Sequence, residues 1–384
     1  MSNSASQQTR EDILDSALRI KQLTQQPSDF LTELLIQQQQ FICIEWICRF
    51  KVFEAVPLPP DSISYSDAAT KLNVSSSTLR STLRMAMTAN LFTETTDGKL
   101  AHNSLSASFV QNEDLKTWLN YNVFAAVPTM RAYPDATAKW PGSKVPNETA
   151  YNVWKGTELP FFGHIKANPE LGAEFNKFMA SQGTAHEGAS LEHLFNGFDW
   201  ASLGDAKVVD VGGNNGGISV ALAERFPRLK FVVQDLAGPI QEGRTNAESL
   251  PKEIAERIEF QEQSFLDPQP VKDADVYFLR MIIHNWNDDD SVKILKGLAD
   301  SMKPSGRIII QDMLLPAPGT GSRTHEASLR EKDLMMRQVF NSKEREVEDL
   351  NALLAQVDEK LRIVGVVRPK GSQHSVIEIA RPEA

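Results

Sequence analysis

Val208-Val-Asp-Val-Gly-Gly-Asn-Asn-Gly-Gly217, followed by Lys230-Phe-Val-Val-Gln-Asp235, decides how this chain reads. A β-branched run ends in a glycine-dense turn, helical periodicity follows, and a second apolar run ends on an acid. That order is a βαβ unit suited to a nucleoside. Glycines carry no Cβ, so the backbone can turn sharply and approach a ligand closely. Asp235 follows Gly212 at close to the roughly 20-residue spacing at which an acid meets ribose hydroxyls. Gly212-Gly213-Asn214-Asn215-Gly216 does not supply the dinucleotide pattern G-x-G-x-x-G. The loop therefore suits a ligand without a pyrophosphate, with S-adenosylmethionine (SAM) the leading candidate. A Gly-rich loop that holds nothing is the plainer alternative.

Strands are expected at 207–211, 230–234, 257–261, 275–280 and 307–313, alternating with helical segments. Such alternation implies a doubly wound parallel sheet. Two more apolar-alternating runs, 361–367 and 375–380, are joined through Gly371 with no long helix between them. That pair should be antiparallel, because a parallel pair needs a longer crossover.

The first 110 residues read as helices followed by a wing. Helical periodicity runs over 12–23 and again over about 30–56, until Pro57-Leu-Pro-Pro60 stops it. A short helix at 64–74, serines that offer an N-cap, and a helix at 78–89 give a helix-turn-helix order. A hairpin with an Asp97-Gly98 turn then spans 91–100. DNA binding is disfavoured. Lys71, Arg80, Arg84 and Lys99 are balanced by Asp61, Asp67, Glu94 and Asp97, which leaves little electrostatic footprint for phosphates. The apolar 30–56 segment instead suggests a buried or dimer-forming element. Residues 111–200 are helical and loop-rich, and the aromatics between Phe162 and Gly183 suit either a ligand cavity or an ordinary helical core.

The whole-chain numbers agree with a soluble enzyme acting on a small molecule. Of 384 residues, 41% are hydrophobic and 23% charged, and 40 basic against 50 acidic side chains give a net charge of -10. Cys43 and Cys48 are five apart in an apolar stretch and read as core thiols rather than a disulfide. The first dozen residues lack an apolar signal core, and no apolar run reaches the 18 residues of a membrane span. A cytoplasmic location is expected, with no metal site, no nucleic-acid partner and no membrane partner.

Ligands in such sheets lie beyond the carboxyl ends of the strands. Those ends supply Gly212, Gly213, Asp235, Gln263, Ser264, Phe265, Arg280, His284 and Asp312. His284 stands out, because imidazole titrates near neutrality and can move a proton.

Three blocks in sequence carry a family resemblance: Phe278-Leu-Arg-Met-Ile-Ile-His-Asn-Trp-Asn-Asp-Asp-Asp290, Arg307-Ile-Ile-Ile-Gln-Asp-Met-Leu-Leu-Pro316 and Asn341-Ser-Lys-Glu-Arg345. Together with the winged-helix front end they resemble the SAM-dependent small-molecule O-methyltransferases of plants and fungi. The likeness is strongest to the fungal group acting on polyketide and other aromatic secondary metabolites. Lys139-Trp-Pro-Gly-Ser143 and Pro146-Asn-Glu-Thr-Ala-Tyr-Asn152 also match that group. The resemblance implies a class I (Rossmann-like) α/β methyltransferase fold with a seven-stranded sheet, plus an N-terminal helical winged-helix dimerisation domain. It divides the chain into a dimerisation domain (1–115), a helical linker and substrate-pocket segment (116–200) and a SAM-binding domain (201–384), and it implies a homodimer.

By resemblance, His284 is the general base, supported by Asp312 and Glu344. Gly212, Gly213, Asp235, Ser264, Phe265, Arg280 and Trp286 hold SAM, and Phe175 and Met179 bracket an aromatic acceptor. Two positions depart from the family pattern: Ser264 stands where aspartate is usual at the adenine edge, and Asn285 stands where aspartate usually follows the base. A phenol with pKa near 10 is a poor nucleophile at about pH 7, so it needs such a base as the methyl transfers. The rival reading keeps SAM for electrostatics and catalyses a pericyclic or dehydration step without methyl transfer. Survival of His284, Asp312 and Glu344 favours O-methylation.

Overall fold

Seven apolar segments of the C-terminal half assemble into one sheet. The computed structural model describes residues 2–185, 188 and 190–382. The chain forms two compact units, one of Met1–Asp15, Ala132–Phe162 and His186–Ala384, the other of Ser16–Arg131 and Gly163–Ala185.

The first unit holds β3 (Lys207–Val211), β4 (Lys230–Asp235), β5 (Ile258–Glu262), β6 (Val276–Arg280), β7 (Arg307–Asp312), β8 (Arg362–Val367) and β9 (Ser375–Ala380). Their order is β5-β4-β3-β6-β7-β9-β8. The pairs from β5 to β7 are parallel, whereas β9 runs antiparallel to both β7 and β8. The expected antiparallel terminal pair is present, and it also closes the β7 edge.

Both faces of this sheet are covered, and the two-residue period of a strand explains how. Along β6, Tyr277 and Leu279 join one apolar cluster while Val276 and Phe278 join another on the opposite face. Along β7, Ile308 and Ile310 face the first cluster and Ile309 the second. Each such fully buried side chain contributes roughly 1.5–3 kcal/mol. The sheet reverses its winding between β3 and β6, which opens a crevice at their carboxyl ends.

The second unit is mainly helical. The helices Tyr65–Leu72 and Ser76–Met87 begin on Ser64 and Ser75, whose hydroxyls accept from the N–H groups of Asp67 and Thr78. Leu79, Leu83 and Ala86 are buried on the second of them and pack in one cluster with Cys43, Ile47 and Phe53. The hairpin follows as β1 (Thr93–Glu94) paired antiparallel with β2 (Leu100–Ala101). Cys43 and Cys48 are both free thiols, and burial pushes Cys48 up to about 12.

The helical run expected over 30–56 is broken. One helix covers Pro27–Arg49 and a short one Val52–Ala55, because Lys51 takes the left-handed conformation at φ 55° and ends the first. Among the described residues, no helix is long and apolar enough to cross a membrane.

Candidate active site

The glycine turn shapes its cradle by leaving out side chains. Gly212 has φ +72°, and a Cβ there would lie 2.6 Å from Ile282 Cδ1 and 3.4 Å from the Phe265 ring. At Gly213 a Cβ would sit 2.6 Å from the carboxyl carbon of Asp210. Both glycine N–H groups donate to the Gln234 carbonyl, which binds the turn to the end of β4. Asp235, the last residue of β4, accepts from Asn214 N–H at 2.9 Å and from Leu236 N–H at 2.7 Å. Burial raises its pKa against those two donors.

Next to the turn, the Phe265 and Trp286 rings meet edge to face with centroids 5.4 Å apart. Ser264 Oγ accepts from Leu266 N–H at 3.3 Å, so it shapes this loop and keeps its own proton to donate. The loop is fixed from below by a buried amide pair: Gln234 and Gln269 exchange two hydrogen bonds of 2.8 Å.

This donor set fits SAM. Asp235 offers a carboxylate acceptor, the Phe265–Trp286 pair offers an apolar wall, and the turn 212–217 carries no basic side chain for a pyrophosphate. Side-chain-free glycines leave the backbone open to close approach.

Arg280 ends β6, on the boundary between this cradle and the next cluster. Its Nε donates to Gln311 at 3.0 Å, and its charge lies between those of Asp210 and Asp312. Burial pushes Asp210 up to about 6, opposed by a 2.6 Å hydrogen bond from Ser219 and by Arg280. Met281 follows in the left-handed region at φ 55°, its N–H donating to the Gln311 carbonyl. Asn285 Nδ2 donates to the Met281 carbonyl at 3.1 Å. An aspartate cannot make that donation, so the amide at 285 has a definite use here.

The turn delivers His284 on the short 3-10 segment Ile283–Asn285, 5% exposed. Its Nδ1 pairs with Glu344 Oε1 at 2.8 Å. In the neutral ring, with Nδ1–H donating to the carboxylate, Nε2 carries the lone pair. Glu344 arrives from sixty residues downstream because β7 continues past Asp312: Leu314 bridges in parallel to Arg345, and Leu315 N–H donates to the Arg345 carbonyl. Asp333 accepts from the Glu344 N–H and fixes the segment from the other side.

Asp312 is also buried and acts on the ring through its charge. Burial pushes it up to about 6, against the opposing charge of His284. Burial also works against a charged His284, but the negative charges of Glu344 and Asp312 outweigh it and push the imidazole up to about 9. Among the described residues, Asp312 Oδ1 and Glu344 Oε2 are buried without hydrogen-bond partners.

The structure thus brings together Gly212, Phe265 and Trp286 around one turn and His284, Asp312 and Glu344 around one ring, with Arg280 between Asp210 and Asp312. Phe175 and Met179 belong to the second unit, four residues apart on the helix Pro169–Ala185 and both half-buried. Phe175 lies among Tyr121 and Phe178, with ring centroids 6.3 and 6.5 Å away. Sequence reading overlooked Asp210, Gln311 and Arg345. Each is polar in an apolar strand or beside a stronger motif, and only the folded arrangement reveals its partner.

Comparison with known proteins gives the chain its family. The family described as "O-methyltransferase domain" matches residues 143–357. The chain is 49% identical to O-methyltransferase fsr2 of Gibberella fujikuroi, over 98% of this chain and 97% of that protein. The solved structure of OxaC superposes with a TM-score of 0.80 at 22% identity, covering 98% of this chain and 94% of that one. A structure described as a pericyclic reaction enzyme superposes with a TM-score of 0.75 at 21% identity, covering 97% and 94%. These two share the fold, and the choice of chemistry rests on the family match and the 49% relative. The chain belongs to the O-methyltransferase family and is a SAM-dependent O-methyltransferase of the class I fold.

Proposed function

We propose that the enzyme methylates a phenolic or enolic hydroxyl on an aromatic secondary metabolite of the polyketide type, with His284 as general base. The observation that carries this reading is the buried His284 ring held through Nδ1 by Glu344 at 2.8 Å, with Asp312 adding negative charge. In the neutral ring that arrangement makes Nε2 the proton acceptor, and it stabilises the imidazolium that results, the logic of a base with its orienting carboxylate. SAM, when bound, supplies a methyl group already activated by its sulfonium. Asp235 accepts from the ribose hydroxyls, Phe265 and Trp286 flank the adenine, and Ser264 hydrogen-bonds its edge. Gly212 and Gly213 leave room for close backbone approach. Arg280 contributes positive charge at the same end of the sheet, and Phe175 and Met179 grip the acceptor ring.

In the same reading, residues 1–115 form a winged-helix dimerisation domain, 116–200 a helical linker and substrate-pocket segment, and 201–384 the SAM-binding domain of a cytoplasmic homodimer. Support for self-association comes from the helix Pro27–Arg49, where Phe30, Leu31, Leu34 and Leu35 are all more than half exposed. Apolar faces of that kind mark interfaces. Sedimentation should find a dimer that Leu31→Lys/Leu35→Lys converts to monomer; a monomeric wild type would remove this part of the reading.

Incubation with methyl-labelled SAM and a panel of phenols tests the activity. Label should appear on the acceptor oxygen. A product that is converted but unlabelled would instead support the pericyclic or dehydration reading.

A further inference from the structure

We propose that Arg345 is a positioning residue for the base: it fixes the backbone that carries His284, while its sequence neighbour Glu344 fixes the ring. The inference rests on the reading of His284 as the base.

Arg345 is 3% exposed, and its guanidinium reaches both sides of His284. Nη1 donates to the Ile283 carbonyl at 2.8 Å and Nη2 to the Trp286 carbonyl at 2.9 Å. These two carbonyls bracket the 3-10 turn on which the histidine rides. Nη2 also lies 2.8 Å from Asp288 Oδ1 and 3.0 Å from Ser291 Oγ, so its two hydrogens are shared among three acceptors and tie the turn to the start of the helix Asp288–Ala299. The Trp286 carbonyl accepts in addition from Ser342 Oγ at 2.6 Å and Ser291 Oγ at 3.1 Å. A planar fork of five donors can make this set of bonds, and a lysine ammonium with three donors at a single point cannot.

A cavity of about 10 Å³ lies among His284, Asp312, Glu344 and Arg345 and the apolar side chains of Ile310 and Leu350. The hydrogen bonds to the backbone on either side of His284 and to its Nδ1 set the position of the imidazole. Stability alone would not call for this arrangement. A buried ion of this kind is often matched or bettered in stability by an apolar side chain of similar volume. What the guanidinium supplies is geometry. A shift on the order of 1 Å at a reacting group can reduce the rate about a hundredfold.

The test compares Arg345→Lys in the wild-type and His284→Ala backgrounds, reading kcat with labelled SAM alongside the SAM Kd from calorimetry. Arg345→Lys keeps the charge and loses the fork, so kcat should fall roughly ten- to a hundredfold while SAM Kd stays within about twofold. In the His284→Ala background the same change should cause almost no further loss, because its effect passes through the missing ring. An equal loss in both backgrounds, or a wild-type kcat for Arg345→Lys, would overturn the inference. The His284→Ala single variant separates the two hypotheses: if it alone retains near-wild-type kcat, the base reading fails, whatever Arg345 does.

Discussion

The cradle around Gly212 and the corner around His284 lie at the ends of neighbouring strands, yet they are built on opposite principles. In the cradle, local backbone does the work. Two glycines keep side chains out of a space that Ile282, Phe265 and Asp210 would otherwise contest, and an acid at the end of the next strand completes it. In the corner, side chains from distant segments converge: His284 follows β6, Asp312 ends β7, and Glu344 and Arg345 come from the loop pinned to the extension of β7. A local device should fail in binding, and a convergent one should fail in turnover.

The largest expected effect lies in the corner. His284→Ala should lower kcat by about 10² to 10⁴, the usual contribution of a positioned general base, with SAM Kd nearly unchanged. Stopped-flow or quenched assays with labelled SAM, paired with calorimetry, read both quantities. A comparable loss of SAM affinity would blur the division between the two regions.

Gly213→Ala comes next and should behave in the opposite way. The new Cβ meets the buried Asp210 carboxylate, which is held by Ser219 and has little freedom to move. SAM affinity should drop about tenfold or more, equivalent to roughly 1.4 kcal/mol or above. At saturating SAM, kcat should stay within a few-fold of wild type. Unaltered affinity would show that the turn tolerates a side chain and that the cradle is looser than its geometry implies.

The same contrast explains what could be read in advance. The seven strands are legible because β-branched runs bounded by glycine and acid are local signals, and the observed limits of β3 and β9 match the expected ones. Gly212 and Asp235 were legible for the same reason. The break at Lys51 was not, since a lysine in the left-handed region gives no warning in an apolar helical pattern. Asp312 was legible as an acid at a strand end, but its role beside His284, and Glu344 altogether, came through family likeness, because nothing in their local sequence points to a ring sixty or fewer residues away. Arg345 was overlooked entirely. Its role depends on two carbonyls, and main-chain acceptors leave no trace in composition or periodicity.

The pH dependence of methyl transfer, measured in single turnovers on wild type and Glu344→Gln with a phenol of pKa near 10, tests the central claim most directly. Only the neutral imidazole can accept the phenolic proton, and Glu344 and Asp312 together push its pKa up to about 9. The wild-type rate should therefore climb about tenfold per pH unit and level off near pH 9. Removing the Glu344 charge removes part of what holds the proton on the ring, so the rise in Glu344→Gln should move to lower pH while its plateau falls. Identical profiles in the two proteins, or a wild-type rate independent of pH below 9, would contradict a His284 base governed by Glu344.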